Sequence, residues 1–308
     1  MQIIHFFWLL FFLFISVAVF FDLYWQARRK KELCLKEATI WTATWIFLSL
    51  LFNLLIYFFI GHTKALEFFT AYLLEKSLSL DNLFVFLVIF SYFDLPLLFQ
   101  QKVLKWGILG AFLMRAAFIF GGIWLLKSFH FLFFVFGGFL IYSGFKLFFQ
   151  KEEKINPEKN LFLRIVKKIA PLTHDSSEGK FFLKKEGIIH LTPLFVILLL
   201  IESSDLVFAI DSVPAVLAIT QDPFIAYTSN VFAILGLRAL YFCLAGFLPK
   251  FLYLKKGVMA LLILIGLKMI LSEFYHIPVA FSLIMILIVL TFSILLSLIK
   301  KEKYVIPH

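Results

Sequence analysis

The sequence is poor in charged residues and in cysteine, and each shortage excludes a class of protein. Only 16% of its 308 residues are charged, whereas 62% are hydrophobic; soluble domains carry about 25% charged residues. Water does not tolerate so large an apolar surface, so we expect the chain to lie in a lipid bilayer. The two cysteines, Cys34 and Cys243, form no ligand-spaced pair. A disulfide framework and a cysteine-based zinc site are therefore excluded.

Long apolar runs recur along the chain, and 43 phenylalanines lie among them. A transmembrane helix needs roughly twenty mainly apolar residues. The sequence therefore predicts an all-α fold, a polytopic transmembrane helical bundle of about nine spans. The predicted spans are residues 3–23, 40–60, 66–92, 106–127, 129–149, 193–220, 223–248, 256–273 and 277–299.

The net charge of +10 fits a membrane topology better than a basic surface. When the spans are threaded alternately, most Lys and Arg residues fall in the loops on one side, with Lys64 and Lys127 on the other. Cytoplasmic loops carry the excess of basic residues, so we expect the amino terminus outside and the carboxyl terminus in the cytoplasm. The lipid bilayer is an expected partner and nucleic acid is not, because the cations form no basic face.

The spans group into consecutive segments. Two N-terminal helices occupy 1–65, a first three-helix unit 66–149, a cytoplasmic loop 150–192, a second three-helix unit 193–273, and the last helix with a cytoplasmic tail 274–308. Within the loop, Lys185-Glu186-Gly187 lies between two short apolar runs and is typical of a hairpin turn, and residues 161–170 have the pattern of an amphipathic helix on the membrane surface. A solvated connector is the interpretation that we favour for the loop as a whole.

The two three-helix units resemble each other. Asn82 aligns with Asp205 and Arg115 with Arg238 at the same offset, and a Gly-Xaa-Lys triplet follows in each unit, one residue off that register. Landmarks in the same order predict a repeat in which spans 3–5 correspond to spans 6–8. Each unit has an odd number of spans and none lies between them. The second unit must therefore run in the opposite direction, as an inverted repeat.

Carboxylates lie inside two predicted spans, where each costs about 2.5–3.5 kcal/mol at the bilayer centre. Glu75, Ser79 and Asn82 form one oxygen-bearing stripe, because residues four and seven apart share a helix face. These side chains must face other helices or a water-filled cavity. The predicted metal site contains Glu75, Asp81, Asn82, Glu202, Asp205 and Asp211, with Ser79, Ser204, Arg115, Arg238 and Pro214 in support.

The chemistry of this set favours a hard divalent cation. Magnesium, calcium and manganese prefer carboxylate, amide, hydroxyl and carbonyl oxygens. Pro214 lacks an N–H, so it should leave the carbonyl of Ile210 as a further oxygen beside Asp211. None of the seven histidines lies deep in a predicted span. We expect a transported metal ion that competes with protons, and no permanently bound cofactor.

A structural role for the acids is the alternative. Arg115 and Arg238 could form buried ion pairs that only hold the helices in register. The acids outnumber these two arginines, however, and the surplus suits a cation or exchangeable protons.

The acidic motifs resemble those of a known family. Glu75–Phe86 (EKSLSLDNLFVF), Ser204–Val216 (SDLVFAIDSVPAV) and Ser229–Phe242 are similar to the TerC family, most closely its Alx branch. The resemblance implies a multi-pass protein of the bacterial inner membrane, related to the lysine-exporter class of inverted-repeat transporters. It also implies manganese efflux as the favoured activity, and its acidic motif residues fall on the positions already named.

Two other functions remain open. A membrane scaffold or assembly factor for other membrane proteins would use the acids as packing groups. An amino-acid exporter would use Arg115 and Arg238 to bind its substrate. An enzyme is not expected, because no nucleophile and base pair and no metalloprotease motif lies in a span. No oligomeric state is predicted.

Replacing Asp81 or Asp211 by asparagine is expected to reduce divalent-metal flux, because each change removes a charge that a cation and a proton would share. The measurement is metal uptake by purified protein in proteoliposomes. Equal flux in the wild type and both variants would discard the predicted site.

Overall fold

A computed structural model describes residues 2–27, 35–93, 95–129, 131–149, 179–185, 188–244, 252–272, 274–275 and 277–299. In these ranges the fold is helical apart from one two-stranded hairpin, as the all-α prediction requires. The helices are α1 Gln2–Ala27, α2 Leu35–Phe59, α3 His62–Tyr92, α4 Leu97–Ser128, α5 Leu132–Phe149, α6 Pro193–Leu217, α7 Pro223–Leu235, α8 Leu237–Leu244, α9 Leu252–Leu271 and α10 Val279–Ile299. The strands are β1 Phe182–Lys185 and β2 Ile188–Leu191.

Several helical segments have the length and composition of membrane spans. Within the described ranges, five are long and apolar enough to cross a bilayer: Leu35–Phe59, Leu97–Ser128, Pro193–Leu217, Pro223–Cys243 and Val279–Ser297. Shorter apolar helices cover His5–Ala18, Leu132–Lys146 and Met259–Leu271. α3 has 31 residues but carries charged side chains such as Glu75 and Lys76. The composition fits an all-α membrane protein.

Large apolar side chains cover the outside of the bundle. Phe58 is 69% exposed, Leu113 76% and Phe149 75%. Such a surface is unfavourable in water but suits contact with acyl chains. α3 lies inside and contacts α2, α6, α7 and α10. The helix with the most polar motif is therefore shielded from lipid.

The hairpin fixes the beginnings of two helices. Its strands pair antiparallel with Lys185 opposite Ile188, which is the pairing expected around the predicted turn; residues 186–187 and the predicted amphipathic segment 161–170 lie outside the described ranges. Thr192 caps α6, since its hydroxyl accepts from the Phe195 N–H and donates to the carbonyl of Lys180 at 2.7 Å. The Lys102 amine at the start of α4 donates to the carbonyl of Gly179 at 2.5 Å.

The predicted span 223–248 is not one continuous helix. Asp222 caps the start of α7 by accepting from the Phe224 N–H at 3.0 Å, and Pro223 occupies the first turn. α7 ends at Leu235, and α8 begins after Gly236. Hydropathy did not reveal this interruption, because the residues on both sides of it are apolar.

α5 and α9 approach each other through glycines. A Cβ at Gly266 would lie 2.6 Å from the carbonyl oxygen of Gly137, and a Cβ at Gly144 would lie 2.9 Å from that of Met259. Small residues allow the backbones of membrane helices to come this close. These positions therefore set the distance between the two helices.

The variant Gly266→Ala is expected to lose about 1–3 kcal/mol of stability, because the added methyl group meets backbone atoms that have no rotamer to change. Thermal unfolding in detergent measures the loss. Gly138→Ala is the control, since a Cβ at Gly138 meets nothing within 4 Å. Equal melting temperatures for the two variants would contradict the close packing.

Candidate functional site

α3 and α6 bring most of the predicted site residues into the protein interior. Glu75, Ser79 and Asn82 occupy one face of α3 and are buried. Asp205 is also buried on α6, and Ser212, two turns further on, faces the same cluster. The stripe that the sequence predicted on α3 therefore lies against other helices and not against lipid.

Arg115 of α4 joins four helices through one guanidinium group. It forms an ion pair with Glu75 of α3. It also donates to the Ser212 hydroxyl of α6 at 3.0 Å and to the Asn230 side-chain oxygen of α7 at 3.1 Å. The Asn230 amide in turn donates to the second Glu75 oxygen at 3.2 Å. The charge of Glu75 is thus balanced, and its hydrogen-bonding capacity is used; Ser79 adds a 3.4 Å contact.

Ser212 and Asn230 belong to this cluster but were not among the predicted site residues. Both are small polar residues in apolar segments, and Ser212 stands directly beside Asp211 in the sequence. A polar residue buried in a membrane helix is expensive unless it has a partner. The same rule, applied to uncharged polar residues, predicts from the sequence that these two side chains face the interior and have partners.

A second cluster contains Asn82 and Asp205. The Asn82 amide donates to an Asp205 oxygen at 3.1 Å. Asp205 also lines a small cavity of about 20 Å³, which has room for roughly one water molecule, and Arg238 lies in the wall of the same cavity. Phe86, Leu104, Gly107, Ile108, Ala111, Ile201, Ile234 and Leu237 complete the wall. Asp205 is therefore a buried carboxylate beside a small, mostly apolar cavity.

Glu202 lies one helical turn before Asp205 and is half-buried. Its carboxylate rests against Gly110 of α4. In the part of the chain that the structure describes, neither Glu202 nor Asp205 is within ion-pair distance of a Lys or Arg side chain. Glu202 and Asp205 therefore differ from Glu75, which is matched to Arg115.

The structure does not bring all predicted residues to this place. Asp211 accepts a hydrogen bond from Ser143 of α5 at 2.8 Å, on a different side of α6. The Ser204 hydroxyl bonds back to the carbonyl of Leu200 at 2.8 Å. Pro214 is buried within α6, which continues to Leu217. Asp81 lies in α3, but its side chain is outside the described part of the structure.

A partly buried lysine contacts the interruption between α7 and α8. The Lys76 amine donates to the carbonyl of Ala233 at 3.0 Å. An uninterrupted helix would bond that carbonyl to the N–H of residue 237. A Cβ at Gly236 would lie 3.0 Å from the Lys76 nitrogen and 3.2 Å from Trp45. The glycine therefore leaves room for the amine at the helix end, where a positive charge is favourable.

The donor atoms near Asp205 are hard oxygen ligands. Among the side chains that the structure describes, no three His, Cys, Asp or Glu residues lie close enough to hold a metal ion together. Two carboxylates one helical turn apart and the Asn82 amide oxygen still provide such ligands, and one of the carboxylates, Asp205, lines the cavity.

The fold and these clusters define a helical membrane protein with carboxylates buried between its helices. The chain belongs to the TerC family: residues 60–304 match the family described as "Integral membrane protein TerC family". The resemblance seen in the acidic motifs is thereby confirmed.

Relatives match the chain over most of its length. It is 45% identical to the membrane protein STKORF319 of Myxococcus xanthus over 295 residues, which cover 96% of this chain and 92% of the relative. The candidate membrane-bound redox modulator Alx of Salmonella typhi is 42% identical, with 90% and 88% covered. Alx of Escherichia coli K12 is 41% identical, with 91% of each chain covered. No solved structure shows significant similarity to the chain.

Replacing Arg115 by leucine is expected to destabilise the protein by about 3–5 kcal/mol, because the Glu75 carboxylate stays buried without its cation. Thermal unfolding in detergent measures this loss. The double variant Arg115→Leu/Glu75→Gln should recover part of it, since the second change removes the unmatched charge. A melting temperature unchanged by Arg115→Leu would contradict the structural role of the pair.

Proposed function

We propose that the chain is a secondary transporter that exports a divalent metal ion, with manganese favoured, from the cytoplasm in exchange for protons. The observation that carries the proposal is the pair Glu202 and Asp205. They lie one turn apart on a membrane helix, with Asp205 in the wall of a cavity, and neither has an ion-pair partner among the described residues. A carboxylate in that setting is too expensive to serve packing alone.

The ligand chemistry supports a hard ion. Carboxylates and the Asn82 amide supply oxygen atoms, as manganese, calcium and magnesium require. Protons bind the same carboxylates, so a proton and a metal ion can replace each other at one site. Asp211 with Ser143 provides a second oxygen pair on α6, away from the cavity, and Asp81 belongs to the same acidic motif.

The proposed topology has nine spans in the bacterial inner membrane, with the amino terminus outside and the carboxyl terminus in the cytoplasm. α3, α4 and α5 would then be repeated, inverted, as α6, α7–α8 and α9. Contacts between the matched helices support this: α3 packs on α6, α4 on α7, and α5 on α9. The matched residues Asn82 and Asp205 also touch each other, as residues near a pseudo-two-fold axis do.

The cavity and the Arg115 cluster lie at different depths. The cavity residues follow Glu75 in α3 and Asn230 in α7–α8, and they precede Arg115 in α4 and Ser212 in α6. In each of the four helices, the cavity residues are displaced from the Arg115 cluster toward the same side of the bilayer. That side is the cytoplasmic one in the proposed topology, so the cavity lies on the cytoplasmic side of the Arg115 cluster.

The opposite side is closed by polar contacts. Beyond the Arg115 cluster, Lys64 lies 2.9 Å from Glu67 and 3.2 Å from Asp222. The Thr220 hydroxyl donates to Glu67 at 2.5 Å. These bonds tie the beginning of α3 to the connection between α6 and α7. Release of an ion to the outside requires the Arg115 cluster and this outer one to separate.

Purified protein in proteoliposomes with an acidic interior should take up manganese, and collapse of the proton gradient should slow the uptake. Asp205→Asn and Glu202→Gln should each reduce the rate by about tenfold or more, a loss seen even for indirect metal contacts. A manganese-sensitive dye inside the vesicles measures the rate. Ser204→Ala is the control, because the Ser204 hydroxyl bonds only to the carbonyl of Leu200 among described partners.

Other outcomes identify the competing functions. Uptake of lysine but not of manganese would indicate an amino-acid exporter, and no uptake of either would favour a scaffold. Calcium that competes with manganese at equal concentration would keep the transporter but remove the manganese preference.

A further inference from the structure

The Glu202 carboxylate packs against the backbone of α4 at a position that has no side chain. A Cβ built on Gly110 would lie 2.5 Å from Cδ of Glu202, and both carboxylate oxygens would be closer than 3.0 Å. Real Cβ atoms do not make contacts that short. With the carboxylate in this place, position 110 must therefore be glycine.

Of the other three glycines in α4, Gly122 is the one whose Cβ would also clash, and there the nearest atom is a methyl carbon of Leu217 at 2.7 Å and not a carboxylate. A Cβ on Gly107 would meet Ile201 at 3.5 Å and Glu202 at 3.8 Å, both ordinary contact distances. A Cβ on Gly121 would meet nothing within 4 Å. Glycine weakens a helix by roughly 0.5–1 kcal/mol relative to alanine. Gly110 thus has a reason to be glycine that Gly121 lacks.

The contact also explains how Glu202 remains available to an ion. On the glycine surface the carboxylate is half-buried but has no hydrogen-bond or ion-pair partner among the described residues. A side chain at position 110 would push both oxygens off α4 and change their separation from Asp205. Divalent ions are sensitive to such changes, because their oxygen ligands must lie within narrow distance ranges.

We infer that Gly110 is a positioning residue for the transported cation: its bare backbone leaves room for the Glu202 carboxylate, one helical turn from Asp205 in the cavity wall. This inference rests on the proposed export function. Gly110 touches no ion itself and acts only through Glu202. The clash involves the end of a flexible side chain, so Gly110→Ala should move the carboxylate without unfolding the protein.

The test compares manganese uptake by full-length wild type, Gly110→Ala and the matched control Gly121→Ala over a range of manganese concentrations. Gly110→Ala should raise the KM for manganese by about tenfold or more, as loss of an indirect metal contact does, with the melting temperature unchanged. Gly121→Ala should keep the wild-type KM. A wild-type KM in Gly110→Ala would overturn the inference.

A rescue variant separates positioning from a general packing effect. Aspartate at position 202 is shorter by one methylene group and leaves room for the alanine methyl group. The double variant Gly110→Ala/Glu202→Asp should therefore have a lower KM than Gly110→Ala alone. Additive losses in the double variant would overturn the inference.

A third measurement distinguishes this failure from failure of the proposed function. Manganese should raise the melting temperature of the wild type, and Gly110→Ala should need about tenfold more metal for the same rise. If the wild type neither moves manganese nor is stabilised by it, the proposed function fails, and the positioning role fails with it. If the wild type does both and Gly110→Ala behaves identically, only the role of Gly110 fails.

Discussion

The ion pair between Glu75 and Arg115 is the interaction on which the rest of the interior depends. In a bilayer each of these charges alone is costly, and the insertion of either helix by itself leaves a charge unmatched. Arg115 reaches α3, α6 and α7 from α4, so its contacts are complete only when all four helices are in place. The pair therefore links the burial of polar groups to the assembly of the bundle.

With Glu75 matched, the remaining acids acquire a different character. Glu202 and Asp205 share one face of α6, and Asp205 borders a cavity whose other walls are mostly apolar. Arg238 lies in the wall of the same cavity. The polar groups around Arg115 thus hold the helices together, while the neighbouring Glu202 and Asp205 take part in no ion pair among the described residues.

The sequence predicted the helical class, the membrane environment and the inward orientation of the α3 stripe, because hydropathy and helical periodicity are local properties. It could not show which acid pairs with which arginine. In the sequence, Glu75 and Asp205 are both acids within a predicted span, and the pattern does not tell a paired acid from an unpaired one. Their difference arises from how α4 and α7 pack around them. Asp211 was expected with the other acids, but a rotation of 100° per residue places it toward α5.

The sequence also could not predict the interruption of the helix at Gly236 or the contact between Gly110 and the Glu202 carboxylate. Both depend on a side chain from another helix, Lys76 in one case and Glu202 in the other. A glycine within an apolar run is compatible with close helix packing, a turn or no special role. Only the position of the neighbouring helix distinguishes these cases.

Lys76 has a mechanical consequence that follows from its place beside Glu75. The two side chains are successive residues of α3, one joined to Arg115 and the other to the end of α7. Both side chains move with α3, so a rotation of this helix that separates Glu75 from Arg115 also moves the Lys76 amine relative to the carbonyl of Ala233. Ala233 directly precedes the cavity residue Ile234. The contacts of α3 with α4 and with the end of α7 are therefore coupled through a single helix.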